Sequence, residues 1–176
     1  MKNPFVTNGY VSPEYFCDRE KETARIVSLL TNENNIALIS PRRLGKTDLL
    51  RHCFGQPEIK EHYHTFIIDI YATSSVRDFV NVFGKAVLDE LRPKGKSVWS
   101  TFLNVLASLR SEITCDMNGQ PTWGIGLGAI TNPSATLDEI FSYLNNAGKP
   151  CLIAIDEFQQ ITKYADDPNI EAALRT

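Results

Sequence analysis

Short apolar runs alternate with amphipathic stretches along this chain. Ile36-Ala37-Leu38-Ile39, Thr65-Phe66-Ile67-Ile68-Asp69-Ile70-Tyr71 and Cys151-Leu152-Ile153-Ala154-Ile155 are runs of strand length, rich in apolar and β-branched residues. Such runs suit strands buried on both faces of a parallel sheet. Between the second and third the period lengthens. Phe79, Phe83, Val87 and Leu91 recur every four residues, with Val80 and Leu88 widening the stripe, which predicts a strong amphipathic helix after Thr73-Ser74-Ser75 and a core role for its aromatic residues.

The same reading predicts further helices. One lies within 12–30, with Ala24, Ile26, Val27 and Leu30 on one face. Another covers about 46–54, closed by Gly55 and stopped at Pro57. A third, from Val98 to about Arg110, follows the break at Pro93-Lys94-Gly95-Lys96. A fourth begins after Pro133-Ser134, carries Leu137, Ile140, Phe141 and Leu144, and closes near Gly148. Asp166-Asp167-Pro168 opens a last one. Residues 122–131 alternate Trp123, Ile125, Leu127 and Ala129 with Gly124, Gly126 and Gly128, which predicts a strand with one bare face after a turn at 116–121. The order of elements points to an α/β domain with a mainly parallel sheet.

Composition narrows the class. A chain of 176 residues, 43% hydrophobic and 22% charged, fits one globular domain and excludes wholesale disorder. Eighteen Lys and Arg against 21 Asp and Glu give a net charge of -3, so a dedicated nucleic-acid grip is not expected and any DNA contact would have to be local. No apolar run approaches the roughly 18–20 residues that span a bilayer, and Met1-Lys2-Asn3-Pro4 is not followed by a signal-peptide stretch. The expectation is a cytoplasmic protein without a membrane partner. Cys17, Cys53, Cys115 and Cys151 are too far apart in sequence for a zinc knuckle or redox pair, and are expected to be buried reduced thiols.

The chemistry is concentrated at two strand ends. Ser40-Pro41-Arg42-Arg43-Leu44-Gly45-Lys46-Thr47 matches the phosphate-loop pattern G-x-x-x-x-G-K-[ST] except that Ser40 stands at the first Gly. Gly45 lets the backbone curl toward phosphates, Lys46 can reach β- and γ-phosphates, and Thr47 offers a hydroxyl to Mg²⁺ at a helix N-terminus. The nucleotide-contacting set is therefore Ser40, Pro41, Arg42, Arg43, Leu44, Gly45, Lys46, Thr47 and Asp48. At the end of the third run, Asp156 is suited to hold Mg²⁺ and Glu157 to orient or deprotonate the attacking water. Period two would aim the two acids to opposite sides. The expected cofactors are ATP and Mg²⁺, with Lys46 and Glu157 as the catalytic pair and Thr47 and Asp156 on the metal.

The loop together with Ile155-Asp156-Glu157-Phe158-Gln159-Gln160 resembles the archaeal-type P-loop ATPases of the STAND division, relatives of AAA+ proteins in the ASCE class. Phe16-Cys17-Asp18-Arg19-Glu20-Lys21-Glu22 is similar to that family's Phe-x-Gly-Arg-Glu-x-Glu box, with Asp18 at the usual Gly and Arg19 near the bound base. The resemblance implies a three-layer α/β/α fold. It also implies that 1–176 is the first portion of an ATPase domain: 1–35 an N-terminal segment and helix, 36–176 a nucleotide-binding core without the sensor strand and lid. A missing strand between the lysine-loop strand and the Asp-Glu strand would leave two sheet edges. The expectations are a shortened chain that associates with itself or the missing C-terminal region through those edges, or a sheet in which 122–131 fills the gap.

Weaker candidates are Arg42 and Arg43 as charge neutralisers, Asp69 as support for the magnesium shell, and Arg175 acting on a neighbour's phosphate. His62 and His64 read as surface residues, and Gly124, Gly126 and Gly128 as a place where another backbone packs closely, since their spacing misses the dinucleotide fingerprint. The expected function is ATP binding and Mg²⁺-dependent hydrolysis that switches the conformation of a larger protein. The alternative is a nucleotide-gated interaction module with little or no hydrolysis; a small-molecule kinase ranks third, because an Asp-Glu pair suits activation of water.

Overall fold

The computed structural model describes residues 10, 16, 18–41, 44–91, 113–115, 121–123, 130, 132–164, 170 and 174. The chain divides into two compact units, Met1–Thr65 and Phe66–Thr176.

The first unit contains helices α1 (Glu20–Thr31), α2 (Lys46–Phe54) and α3 (Pro57–Lys60). Ile26, Leu49 and Cys53 form its buried centre, and Phe16, Val27, Leu30, Ile36 and Leu38 pack around them. Burial pushes the Cys53 thiol up to about 11, so it is protonated and inert at neutral pH. Helix α2 has the predicted bounds. Pro57, read as a stop, instead opens α3, because a ring with no N–H suits the first helical turn.

One expected strand does not form. Ile36-Ala37-Leu38-Ile39 has no regular secondary structure and belongs to neither sheet of the described residues. Ile36 and Leu38 turn toward the α1–α2 cluster while Ile39 is 93% exposed. An apolar run becomes a strand only when a neighbour accepts its backbone hydrogen bonds, and here Ile36 and Leu38 pack while, among the described residues, no strand pairs with the run.

The second unit is built on β1 (His64–Asp69), which begins just before it, and β4 (Cys151–Asp156). These pair in a two-stranded sheet. Ile70 N–H donates to Asp156 O at 3.3 Å, so the C-terminal ends of the strands meet and the pair is parallel. The α/β expectation holds. Helices α4 (Val76–Leu91) and α5 (Pro133–Asn145) supply the crossover. Phe66 and Ile68 from β1 and Ile70 just after it are buried with Val76, Phe79, Val80, Phe83, Val87 and Leu88 of α4 and Leu137, Ile140 and Leu144 of α5. Each such side chain contributes roughly 1.5–3 kcal/mol by leaving water. Phe83 also meets Phe141 with ring centroids 5.5 Å apart.

Helix entry is specified locally. Ser75 Oγ accepts from Asp78 N–H at 3.1 Å, while the Asp78 carboxylate accepts from Ser74 N–H and Oγ–H at 2.9 and 2.8 Å. Burial works to raise the Asp78 carboxyl, but these serine hydrogen bonds hold it below its ordinary value. Asn132 Oδ1 accepts from Ala135 N–H at 3.1 Å, and Pro133 opens α5.

A hairpin pairs β2 (Ile113–Cys115) antiparallel with β3 (Pro121–Trp123) in a separate sheet. The expectation that 122–131 fills a gap in the main sheet is thus corrected for Thr122 and Trp123, which pair with β2, while Ile130 is in no strand and is buried in the core of the second unit. Residues 124–129, with their three glycines, lie outside the described residues, as do the helix expected at 98–110 and Arg175. Of the last expected helix, Ile170 is helical and buried, and Leu174 N–H donates to its carbonyl at 3.0 Å. Strand β4 is half-buried along its whole length instead of buried on both faces, because among the described residues it has one strand neighbour. No helix among the described residues is long and apolar enough to cross a membrane.

Candidate functional site

In the first unit the lysine loop leads directly into α2. Gly45 takes φ 65° and ψ 35° as the residue before the helix, a left-handed conformation that glycine adopts without steric penalty. Nothing lies within 4 Å of where a Cβ would stand, so the demand for glycine is conformational and not a matter of space. Leu49 N–H to Gly45 O, at 2.9 Å, is the first helical bond, and the amides of the opening turn precede it. The positive end of the helix faces the loop.

Lys46 folds back into this curl. Its Nζ donates to Ser40 O at 3.1 Å and Pro41 O at 3.5 Å. A cation held inside a short loop, at a helix N-terminus, is the donor set that a polyphosphate requires. Thr47 is half-buried on the first turn. Asp48 points away from that chemistry, toward Arg51 at 3.8 Å on the helix surface. Leu44 is 50% exposed beside the loop, and Arg42 and Arg43 lie outside the described residues.

The segment before α1 explains a departure from the expected box. Asp18 has φ 73°, the left-handed region where Gly is the usual occupant, and aspartate is among the few other residues that tolerate it. Arg19 Nε pairs with Glu22 Oε2 at 3.1 Å, so the guanidinium is engaged within its own helix entrance. Phe16 stacks on His52 of α2 with ring centroids 4.1 Å apart. Tyr10 Oη lies 3.2 Å from His52 Nδ1, and Gln56 Nε2 lies 3.1 Å from both His52 Nε2 and His52 O. Because the carbonyl demands a donor, the Gln56 amide nitrogen faces the ring, Nε2 accepts, and Nδ1 carries the proton toward Tyr10. This knot ties the box to the helix that follows the loop. Sequence reasoning missed it, since nothing local marks His52.

In the second unit the acids stand where β4 ends. Asp156 is the last strand residue, and its Oδ1 accepts from Glu157 N–H at 3.0 Å. Glu157 then turns through φ 58° and ψ 37° into a 3₁₀ helix, Phe158–Lys163. The expected period-two opposition of the acids therefore does not apply: alternation stops at Asp156, and the left-handed turn sets the direction of Glu157. A non-glycine residue in that region stores roughly 1–2 kcal/mol of strain, a cost found most often at functional sites.

Gln159 Nε2 donates to Glu157 Oε2. Gln160 N–H donates to Glu157 O at 2.8 Å, and Gln160 Nε2 donates to Thr73 O at 3.0 Å. Thr73 and Tyr164, both buried, share a hydroxyl hydrogen bond. Asp69 is exposed and its Oδ1 accepts from Tyr71 N–H at 2.9 Å, which turns it onto its own loop. His62 is exposed and His64 half-buried, and among the described residues no group of three or more His, Cys, Asp or Glu could hold a metal. The Thr47 hydroxyl in the first unit and the Asp156 carboxylate in the second are each, taken singly, oxygen donors of the kind Mg²⁺ accepts, a cation that takes few protein ligands and completes its shell with phosphate and water.

No curated protein and no solved structure was found to match the chain. The family profile described as an ATPase domain predominantly from Archaea matches residues 16–174, which take in the aromatic box, the lysine loop and the Asp156-Glu157 turn. The chain belongs to this ATPase family.

Proposed function

We propose that this domain binds ATP with Mg²⁺ inside the cell and hydrolyses it to switch the conformation of a larger protein, as a STAND-type relative of the AAA+ ATPases. The observation that carries the proposal is the lysine loop: left-handed Gly45 starts α2, and the Lys46 ammonium sits within the loop's own curl. Lys46 and the opening turn of α2 would bind the phosphates, and Thr47 and Asp156 would hold the metal. Mg²⁺ supplies charge neutralisation on the transferred phosphoryl group. Glu157 would orient the attacking water and accept its proton, and Arg19 and the Phe16 segment would lie toward the base. Positioning and charge stabilisation account for most of the catalysis in such sites.

Calorimetric titration with Mg·ATP and a turnover assay test this on the parent, Lys46→Ala and Glu157→Gln. Lys46→Ala is expected to weaken binding more than about tenfold, as loss of a charged hydrogen-bond donor should. Glu157→Gln should bind normally and lose about a hundredfold or more in turnover. Equal binding by the parent and Lys46→Ala would overturn the loop assignment. Binding without turnover in the parent would favour the nucleotide-gated module instead.

A further inference from the structure

Glu157 is the one proposed reactive side chain whose backbone is strained and whose carboxylate is held by a neighbour. Both features trace to the two glutamines that follow. The left-handed turn at Glu157 is closed by Gln160, whose backbone N–H reaches back to Glu157 O at 2.8 Å. The Gln160 side chain anchors that turn to the loop after β1, donating to Thr73 O at 3.0 Å, and its own Oε1 accepts from Lys163 Nζ at 2.9 Å. Tyr164 reinforces the same anchor through its hydroxyl bond with Thr73. Gln159 acts on the carboxylate itself, donating to Oε2 from two residues away.

These contacts differ in purpose. The Thr73–Tyr164 bond is buried and serves packing, whereas Gln159 is exposed and contributes nothing to the core. An exposed amide that orders two flexible side chains adds little stability by itself. Its consequence is geometric: one carboxylate oxygen is engaged by Gln159, and the rotamer of Glu157 is selected. A base oriented by a third group is the arrangement that nucleophile activation uses elsewhere.

We propose that Gln159 and Gln160 are positioning residues for Glu157, Gln159 aiming its carboxylate and Gln160 holding the left-handed turn that presents it. The inference rests on the reading of Glu157 as the group that activates water. It deepens that reading by assigning the two residues that carry neither phosphate nor metal.

The test uses the full chain with Gln159→Ala, Gln159→Glu, Glu157→Gln and the double variant Glu157→Gln/Gln159→Ala. Gln159→Ala is expected to lower kcat about ten- to a hundredfold, the usual penalty for a misplaced reacting group, with KM, Mg·ATP affinity and melting temperature unchanged. Gln159→Glu, similar in size but repelling the carboxylate, should fall at least as far. In the double variant the Gln159 change should have no further effect, because its action runs through Glu157. Parent-like kcat in Gln159→Ala, beside an inactive Glu157→Gln, would overturn the inference and leave the hydrolysis reading standing. Unchanged turnover in Glu157→Gln would overturn both. Side-chain amide NMR gives a readout independent of turnover. In Glu157→Ala the Gln159 NH₂ signals should move, while the Gln160 NH₂ signals, bonded to Thr73, should stay nearly in place. Unmoved Gln159 signals overturn the proposal even where no protein turns over ATP.

Discussion

The lysine loop and the acid-bearing turn leave their motifs by the same backbone step, a single left-handed residue before a helix, yet they fill it differently. Gly45 takes the step at φ 65° with no side chain to strain, and Glu157 takes it at φ 58° with a carboxylate. On the proposed reading the loop works through its backbone and a neighbouring lysine, so glycine, which carries no strain there, is the favoured occupant. On the same reading the turn works through its own side chain and carries the strain, anchored by Gln160, Thr73 and Tyr164 in a well-packed unit. Their supports differ to match. The loop's unit has a small buried centre of Ile26, Leu49 and Cys53, whereas the turn's unit is built on a continuous core from β1, α4 and α5.

The contrast can be broken most forcefully at that larger core. Phe83 is 1% exposed, and Phe83→Ala should destabilise the protein by about 3–5 kcal/mol in urea unfolding monitored by circular dichroism. A loss below about 1 kcal/mol would show that the core does not support the turn as described.

The two left-handed residues respond in opposite directions. Gly45→Ala should cost about 1–2 kcal/mol of stability, since alanine must adopt the left-handed region, whereas Glu157→Gly should gain about 1 kcal/mol while losing turnover. Opposite signs in parallel thermal melts would sharpen the comparison, and equal signs would remove it.

The smallest effect concerns the α4 entrance beside Thr73. The Asp78 carboxyl lies below its ordinary value in the folded chain, so its contribution is present at neutral pH and is lost as the pH falls through the folded value. Asp78→Asn should be less stable by about 0.5 kcal/mol at pH 7, as expected for a half-exposed cap, with the difference vanishing in strong acid. A difference that persists in acid would assign the effect to something other than the charge.

Much of this was legible from local chemistry. The bounds of α2 follow from Gly45 and Gly55, and the buried stripe of α4 from a four-residue period. Asp156 and Glu157 were legible as a pair at a strand end, because apolar runs that stop at acids mark such ends. Gln159 and Gln160 were present in the motif but silent, since one acts on a carboxylate across a turn and the other on Thr73, far away in sequence. His52 was silent for the same reason. Its partners, Tyr10 and Phe16, meet it only after α1 and α2 pack.

By itself the sequence determined the α/β class, the buried stripe of α4, the glycine-lysine step into α2 and the place of the acids at a strand end, because these depend on residue types at short spacing. Tertiary structure decided which apolar runs became strands. Residues 64–69 and 151–156 pair in a parallel sheet, while 36–39, equally apolar, packs Ile36 and Leu38 and belongs to neither sheet of the described residues. It also decided where Glu157 points, since its direction comes from a left-handed turn anchored by residues on another loop. Hydrophobic pattern is a property of one segment, whereas a backbone hydrogen bond or an aimed carboxylate requires two.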